Sequence, residues 1–156
     1  MGYLSWQGDL DTGIEVIDKQ HQRIVSMVNA LHEAQRESDQ PCVQVVLEDL
    51  VDYTLSHFAF EEALMEDAGY PFSDAHRAIH ERFVETVKRY QDRARAGEDV
   101  AEELKSLLSR WLFQHIRGDD KAYVPVVRRK LQKLTGDTRE GGWLATAMRR
   151  FFGHRA

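Results

Sequence analysis

The chain has 156 residues and a mass of 18.1 kDa, enough for one domain with a core of useful size. Apolar residues make up 42% and charged residues 30%, which excludes a disordered chain and suits a globular one. The net charge of −5 hides an asymmetry, since residues 121–156 carry nine basic against two acidic side chains and residues 1–120 carry 12 against 24. The domain itself therefore lacks the basic surface with interleaved aromatics that nucleic-acid binding needs, and no nucleic-acid partner is expected.

Residues 1–17 contain the turn formers Gly8-Asp9-Leu10-Asp11-Thr12-Gly13 and read as an extended arm anchored by Trp6. A first helix is predicted from Asp18 to about Glu37, with Ile24, Val28 and Leu31 sharing a face with His21. Ser38-Asp39-Gln40-Pro41 breaks it, and Pro41 suits the first turn of a second helix bearing Val46, Leu50, Leu55, Phe58 and Met65. Gly69-Tyr70-Pro71 stops that helix. Ser73 is placed to cap a third helix carrying Ile79, Phe83, Val87 and Tyr90 as far as Ala96. After Gly97 a fourth helix bears Leu104, Leu107, Leu108, Trp111, Leu112 and Ile116, and its pattern continues to Leu134 with a kink or break expected at Pro125.

Thr135 to Gly142 reads as a polar linker, and Trp143 to Phe152 as a short amphipathic helix, basic on one side. Four long helices with short connections predict an all-α, antiparallel up-down-up-down bundle over residues 1–134, with a basic amphipathic extension over 135–156. No apolar run approaches the ~20 residues of a membrane span, and the start lacks a basic region followed by an apolar stretch, so a cytoplasmic address is expected. Cys42 is the single cysteine, which excludes an internal disulfide and a cysteine-based metal cluster.

Of seven histidines, five fall on expected inner faces: His21, His57, His76, His80 and His115. Glu61 and Asp120 join them, and the pairs His57/Glu61 and His76/His80 are each four residues apart, one turn along a single face. Alone, each pair is an ordinary surface pair and each lone histidine an ordinary core residue. Together they demand another explanation, because burying so many imidazoles and carboxylates without strong partners costs a few kcal/mol apiece. A metal centre removes that cost, and these residue types suit first-row ions such as iron, zinc or manganese. His115 and Asp120 are five apart, which turns them about 140° from each other on a regular helix. A locally widened turn around Gly118 would bring them together.

At these residues the chain resembles the hemerythrins and bacteriohemerythrins. The likeness rests on Trp6, Gly13-Ile14, Ile17-Asp18-Lys19-Gln20-His21, His57-Phe58-Ala59-Phe60-Glu61-Glu62, Met65, Gly69-Tyr70-Pro71, His76, His80, Trp111-Leu112, His115-Ile116 and Asp120. It implies two iron ions joined by an oxo or hydroxo bridge. One iron would take His76, His80 and His115, and the other His21 and His57 with one position open. Glu61 and Asp120 would bridge them. The resemblance also implies an O2 pocket of Ile24, Phe58, Trp111, Leu112 and Ile116, with Tyr123 in an outer supporting layer.

Reversible O2 binding, for transport, storage or delivery, follows from that resemblance. An apolar pocket offers no general acid to drive O–O cleavage, so a non-enzymatic role is expected. Two alternatives stand beside it. One is a di-iron enzyme reducing peroxide or nitric oxide. The other is an O2 or redox sensor acting through a protein partner or membrane surface at Trp143–Phe152, where Leu144, Met148, Phe151 and Phe152 accompany Arg149 and Arg150. The plainer reading of this segment is an extra helix covering part of the bundle. Ferritin-like Glu-x-x-His and zinc-protease His-Glu-x-x-His motifs are absent. His32 and His154 lie outside the ligand pattern and are expected at the surface.

Overall fold

The computed structural model describes residues 3–135 and 143–153. Its helices are α1 (Glu15–Arg36), α2 (Gln40–Ala68), α3 (Ser73–Arg95), α4 (Ala101–His115), α5 (Lys121–Thr135) and α6 (Trp143–Phe152). A π-helical turn, Ile116–Asp120, joins α4 to α5, so α4, this turn and α5 form one long fourth helix. The result is a four-helix bundle. α2 packs against α1, α3 and α5, α1 also meets α4, and α6 lies against α2 and α5.

α1 starts three residues before the sequence predicts. The reason is local: the Asp18 carboxylate accepts hydrogen bonds from Thr12 N (2.8 Å), Thr12 Oγ (2.7 Å) and Gly13 N (3.1 Å), tying the arm to the first turn. The arm is held further along by Trp6, whose indole N–H donates to Asp11 Oδ1 at 2.7 Å, and by Arg117, which donates to Asp9 Oδ2 at 2.7 Å. Its start reaches α1 as well, where Tyr3 stacks on His32 at 4.6 Å. His32 is therefore half-buried rather than exposed, and His154 falls outside the described residues.

α2 begins as predicted, with Asp39 Oδ1 accepting from Cys42 N at 3.1 Å and proline in the first turn. It ends at Gly69, whose φ of 74° is left-handed, while Tyr70 N bonds back to Met65 O at 3.0 Å. Ser73 does not cap α3. Its hydroxyl donates instead to Tyr70 O at 2.6 Å within the tight turn, and Phe72 holds the cap position.

α5 runs through Pro125 without ending. The fourth helix is interrupted five residues earlier, at the widened turn that the His115–Asp120 spacing requires.

Two apolar clusters fill the bundle. The larger contains Leu10, Ile24, Val28, Leu31, Leu50, Phe58, Leu104, Leu112 and Ile116. The smaller contains Ile17, Phe60, Leu64, Met65, Tyr123, Val127 and Ala147 from α6. Polar side chains form the layer that links them.

Candidate metal centre

Each long helix sends its polar residues to one level. α1 contributes His21, α2 His57 and Glu61, α3 His76 and His80, α4 His115, and the π turn Asp120. All are buried, with Glu61, His21 and Asp120 entirely shielded from solvent. Among the described residues their ligand-capable atoms form two groups, each with all atoms within 4.8 Å of one another. One group is Glu61, His76, His80, His115 and Asp120; the other is His21, His57, Glu61 and Asp120. Glu61 and Asp120 belong to both.

His76 Nε2 and Glu61 Oε1 are hydrogen-bonded at 3.1 Å, but the contacts of His21 and Asp120 are short and poorly directed for hydrogen bonding. His21 Nε2 lies 3.1 Å from Asp120 Oδ2, and His76 Nε2 lies 3.1 Å from Asp120 Oδ1. Yet His21 Nε2 and both Asp120 oxygens make no hydrogen bond of acceptable direction, although each is buried. His80 Nε2 and His115 Nε2 face each other at 2.9 Å, so a proton or a cation must separate their lone pairs. Buried polar atoms are almost always satisfied. Orphaned nitrogens and carboxylate oxygens gathered this closely fit metal coordination, and this donor set of imidazole and carboxylate suits first-row metal ions.

The electrostatics agree. Burial pushes the Glu61 carboxyl up, but His57, then His76 and His80, more than reverse this and hold it well below the usual carboxylate range. Burial and the Glu61 charge push Asp120 up in the same way, and His115 and His21 overcome both to hold it low. Burial disfavours a charged His76, yet Asp120 and Glu61 on either side push it up to about 10. At His57 burial wins over Glu61, and the imidazole is pulled down toward the neutral form. Without metal, protons partly take the place of cations between these groups.

An outer layer holds the inner one. Tyr123, fully buried, donates its hydroxyl to Glu61 Oε2 at 2.9 Å, and burial with the Glu61 and Asp120 charges keeps that phenol protonated. Sequence reasoning does not reach three further partners in these roles. Asp119 Oδ2 meets His115 Nδ1 at 2.9 Å, Glu62 Oε2 meets His80 Nδ1 at 3.3 Å, and Gln20 Oε1 meets His57 Nδ1 at 2.7 Å. Glu62 is itself held by Arg77 at 3.2 Å. The signal was present for Asp119, one turn after His115, but many acids flank these histidines and only packing selects those that face a ring.

On one side of the layer, Ile24, Phe58, Leu112 and Ile116 are buried, and Trp111 is partly buried beside them. Phe58 stacks on His80 with ring centroids 4.0 Å apart, and Trp111 stacks on His115 at 4.3 Å. The five residues expected to line a pocket thus lie in or against the larger apolar cluster, next to the histidines.

Comparison with known proteins points the same way. The chain is 60% identical to a bacteriohemerythrin of Pseudomonas paraeruginosa over 153 residues, covering 98% of this chain and all of that one. It is 52% identical to a bacteriohemerythrin of Stenotrophomonas maltophilia over the same shares of the two chains. A crystal structure of wild-type hemerythrin superposes with a TM-score of 0.76 at 31% identity, covering 80% of this chain and 98% of that one. Residues 12–127, which hold every member of the buried polar layer, match the hemerythrin HHE cation binding domain, and the chain belongs to the hemerythrin family.

Proposed function

We propose that the chain binds O2 reversibly at a non-haem di-iron centre. The observation that carries this reading is the overlap of the two ligand groups, one with three imidazoles and one with two, sharing both carboxylates. Shared carboxylates suit bridges between two ions. On this reading His76, His80 and His115 would hold one iron and His21 and His57 the other, and the smaller number of imidazoles at the second would leave room there for O2. Two irons would supply the two electrons that reversible O2 binding borrows and returns.

The chain's own residues do the rest. Tyr123 holds Glu61 in place by its hydroxyl, and Asp119, Glu62 and Gln20 fix the rings of His115, His80 and His57. Ile24, Phe58, Trp111, Leu112 and Ile116 exclude water and supply no general acid, which favours release of O2 over its reduction. No helix among the described residues is long and apolar enough to cross a membrane, and the proposed setting is the cytoplasm.

Metal analysis with visible spectroscopy tests the proposal on reduced anaerobic protein, then in air, then after O2 removal. The expected result is about two irons per chain, from the ligand groups, and a charge-transfer band that comes and goes with O2. A single zinc, or a band that never reverses, overturns it. His76→Ala and Glu61→Ala are expected to lose metal, and retention of two irons by either removes that residue from the ligand set.

A further inference from the structure

Resting on the assignment of His57 as a ligand, a second role emerges for α6. Its apolar face is turned inward: Ala147 is buried, and Phe152 approaches Phe60 and Tyr53 with ring centroids at 5.9 and 5.2 Å. Beside them Met148 reaches Gln20, whose side-chain amide nitrogen donates to the thioether sulfur at 3.7 Å. The same amide presents its oxygen to His57 Nδ1 at 2.7 Å. Gln20 is itself 2% exposed, so water offers its amide little alternative.

We infer that Met148 is a positioning residue for the metal centre, acting through Gln20 to set the tautomer of His57. The logic is one of donors and acceptors. A thioether carries no proton and can only accept. The Gln20 NH2 group must therefore face Met148, which leaves the Gln20 oxygen facing His57. An oxygen there accepts a hydrogen bond from Nδ1–H and leaves Nε2, the atom 3.4 Å from Glu61 Oε2, with its lone pair free to ligate. With the amide reversed, its NH2 would meet Nδ1 and its oxygen would meet sulfur. Nδ1 would then have to accept, and the ring proton would sit on Nε2, where it blocks ligation. The N–H···S bond is weak, but the two orientations differ by the whole pairing pattern around a buried amide, which is costly to mismatch. The match to the Pseudomonas paraeruginosa relative extends over 98% of this chain and so takes in α6, whereas the wild-type hemerythrin structure covers 80% of it. In this chain the C-terminal helix contributes to the centre's outer layer.

The test compares Met148→Leu in two backgrounds, the natural chain and Gln20→Glu. Leucine keeps the volume and removes the acceptor. A carboxylate at position 20 accepts from His57 through either oxygen, so His57 no longer depends on residue 148. Two readouts are followed: iron loss from the loaded full chain to a chelator, and the 15N shifts of the His57 ring in metal-free protein. In the natural background Met148→Leu is expected to speed iron loss about tenfold, the low end for loss of an outer partner, and to shift His57 toward the Nε2–H form. In the Gln20→Glu background it should change neither. Equal effects in both backgrounds would reduce Met148 to packing, and no effect in either would remove it from the centre; both overturn the inference. If the unaltered chain loads no iron, the assignment of the metal centre fails instead.

Discussion

At the scale of single residues, the centre is a set of groups that cannot all be satisfied by one another. His21 Nε2 and both Asp120 oxygens, buried without a directed hydrogen bond, show this most plainly. Tyr123 is the opposite case, a hydroxyl with one clear task at Glu61. Tyr123→Phe is expected to keep the fold and to destabilise the metal-free protein by about 1–3 kcal/mol, the usual result of stripping a partner from a buried charged acceptor. Urea unfolding in the presence of a chelator measures this, and an unchanged midpoint would show that Glu61 does not depend on the phenol.

Protonation belongs to the same scale. His76 is pushed up to about 10 by Asp120 and Glu61, so its charged form stabilises the metal-free fold fully below its unfolded value near 6.5. That contribution falls away as pH rises through about 10. Glu61 and Asp120 are held low, so their contribution is present above about pH 4 and is lost as pH falls further. The three together predict that these groups help the metal-free fold most between about pH 5 and 6.5. They also predict that metal loading at pH 7.5 releases about one proton from His76, since only a neutral imidazole ligates. Calorimetric titration in two buffers of different ionisation enthalpy counts that proton; equal heats in both would refute the charged His76.

At the scale of elements, two backbone features place members of the buried polar layer. The π turn at Ile116–Asp120 adds the extra rotation that lets His115 and Asp120 face the same centre. Their five-residue spacing made this turn legible before the structure, because a regular helix points them apart. The left-handed Gly69 ends α2 so that the chain can reverse within a few residues and α3 can bring His76 and His80 beside Glu61. A Cβ at Gly69 would meet nothing within 4 Å, so the cost of Gly69→Ala is conformational alone. It should lower stability by about 1–2 kcal/mol, read as a lower thermal midpoint with iron content unchanged. The boundary of α1 and the cap of α3 were less legible, since Asp18 and Ser73 each have several local partners and only the turn geometry selects among them.

At the scale of the whole molecule, the polar layer links two apolar clusters, and the smaller one is completed by α6. Removing residues 136–156 would uncover Phe60 and Gln20, both buried in the intact chain. The truncated chain is expected to remain a bundle but to lose a few kcal/mol of stability, in line with the apolar area that α6 covers. A helix serving only an outside partner or a membrane would leave the thermal midpoint where it was. Arg149 and Arg150 are exposed, so the basic side chains of α6 stay in solvent while Ala147 is buried against the bundle.

The sequence by itself determined the helices, the bundle and the seven inward-facing polar residues. All of these follow from periodicities of three and four residues, from strong stop signals, and from the cost of burying charge. Tertiary structure decided which flanking groups on other helices hold the buried histidines. Gln20 and Glu62 look like any other polar neighbour until packing of α1 and α3 against α2 brings a ring nitrogen of His57 or His80 within about 3 Å of each, whereas Asp119 sits one turn from His115 on the same helix. It also decided that α6 turns its apolar face onto α2 and α5 and sets Met148 against Gln20. A local pattern states that a helix has an apolar face; what that face meets depends on contacts far apart in sequence, such as the one between Gln20 and Met148.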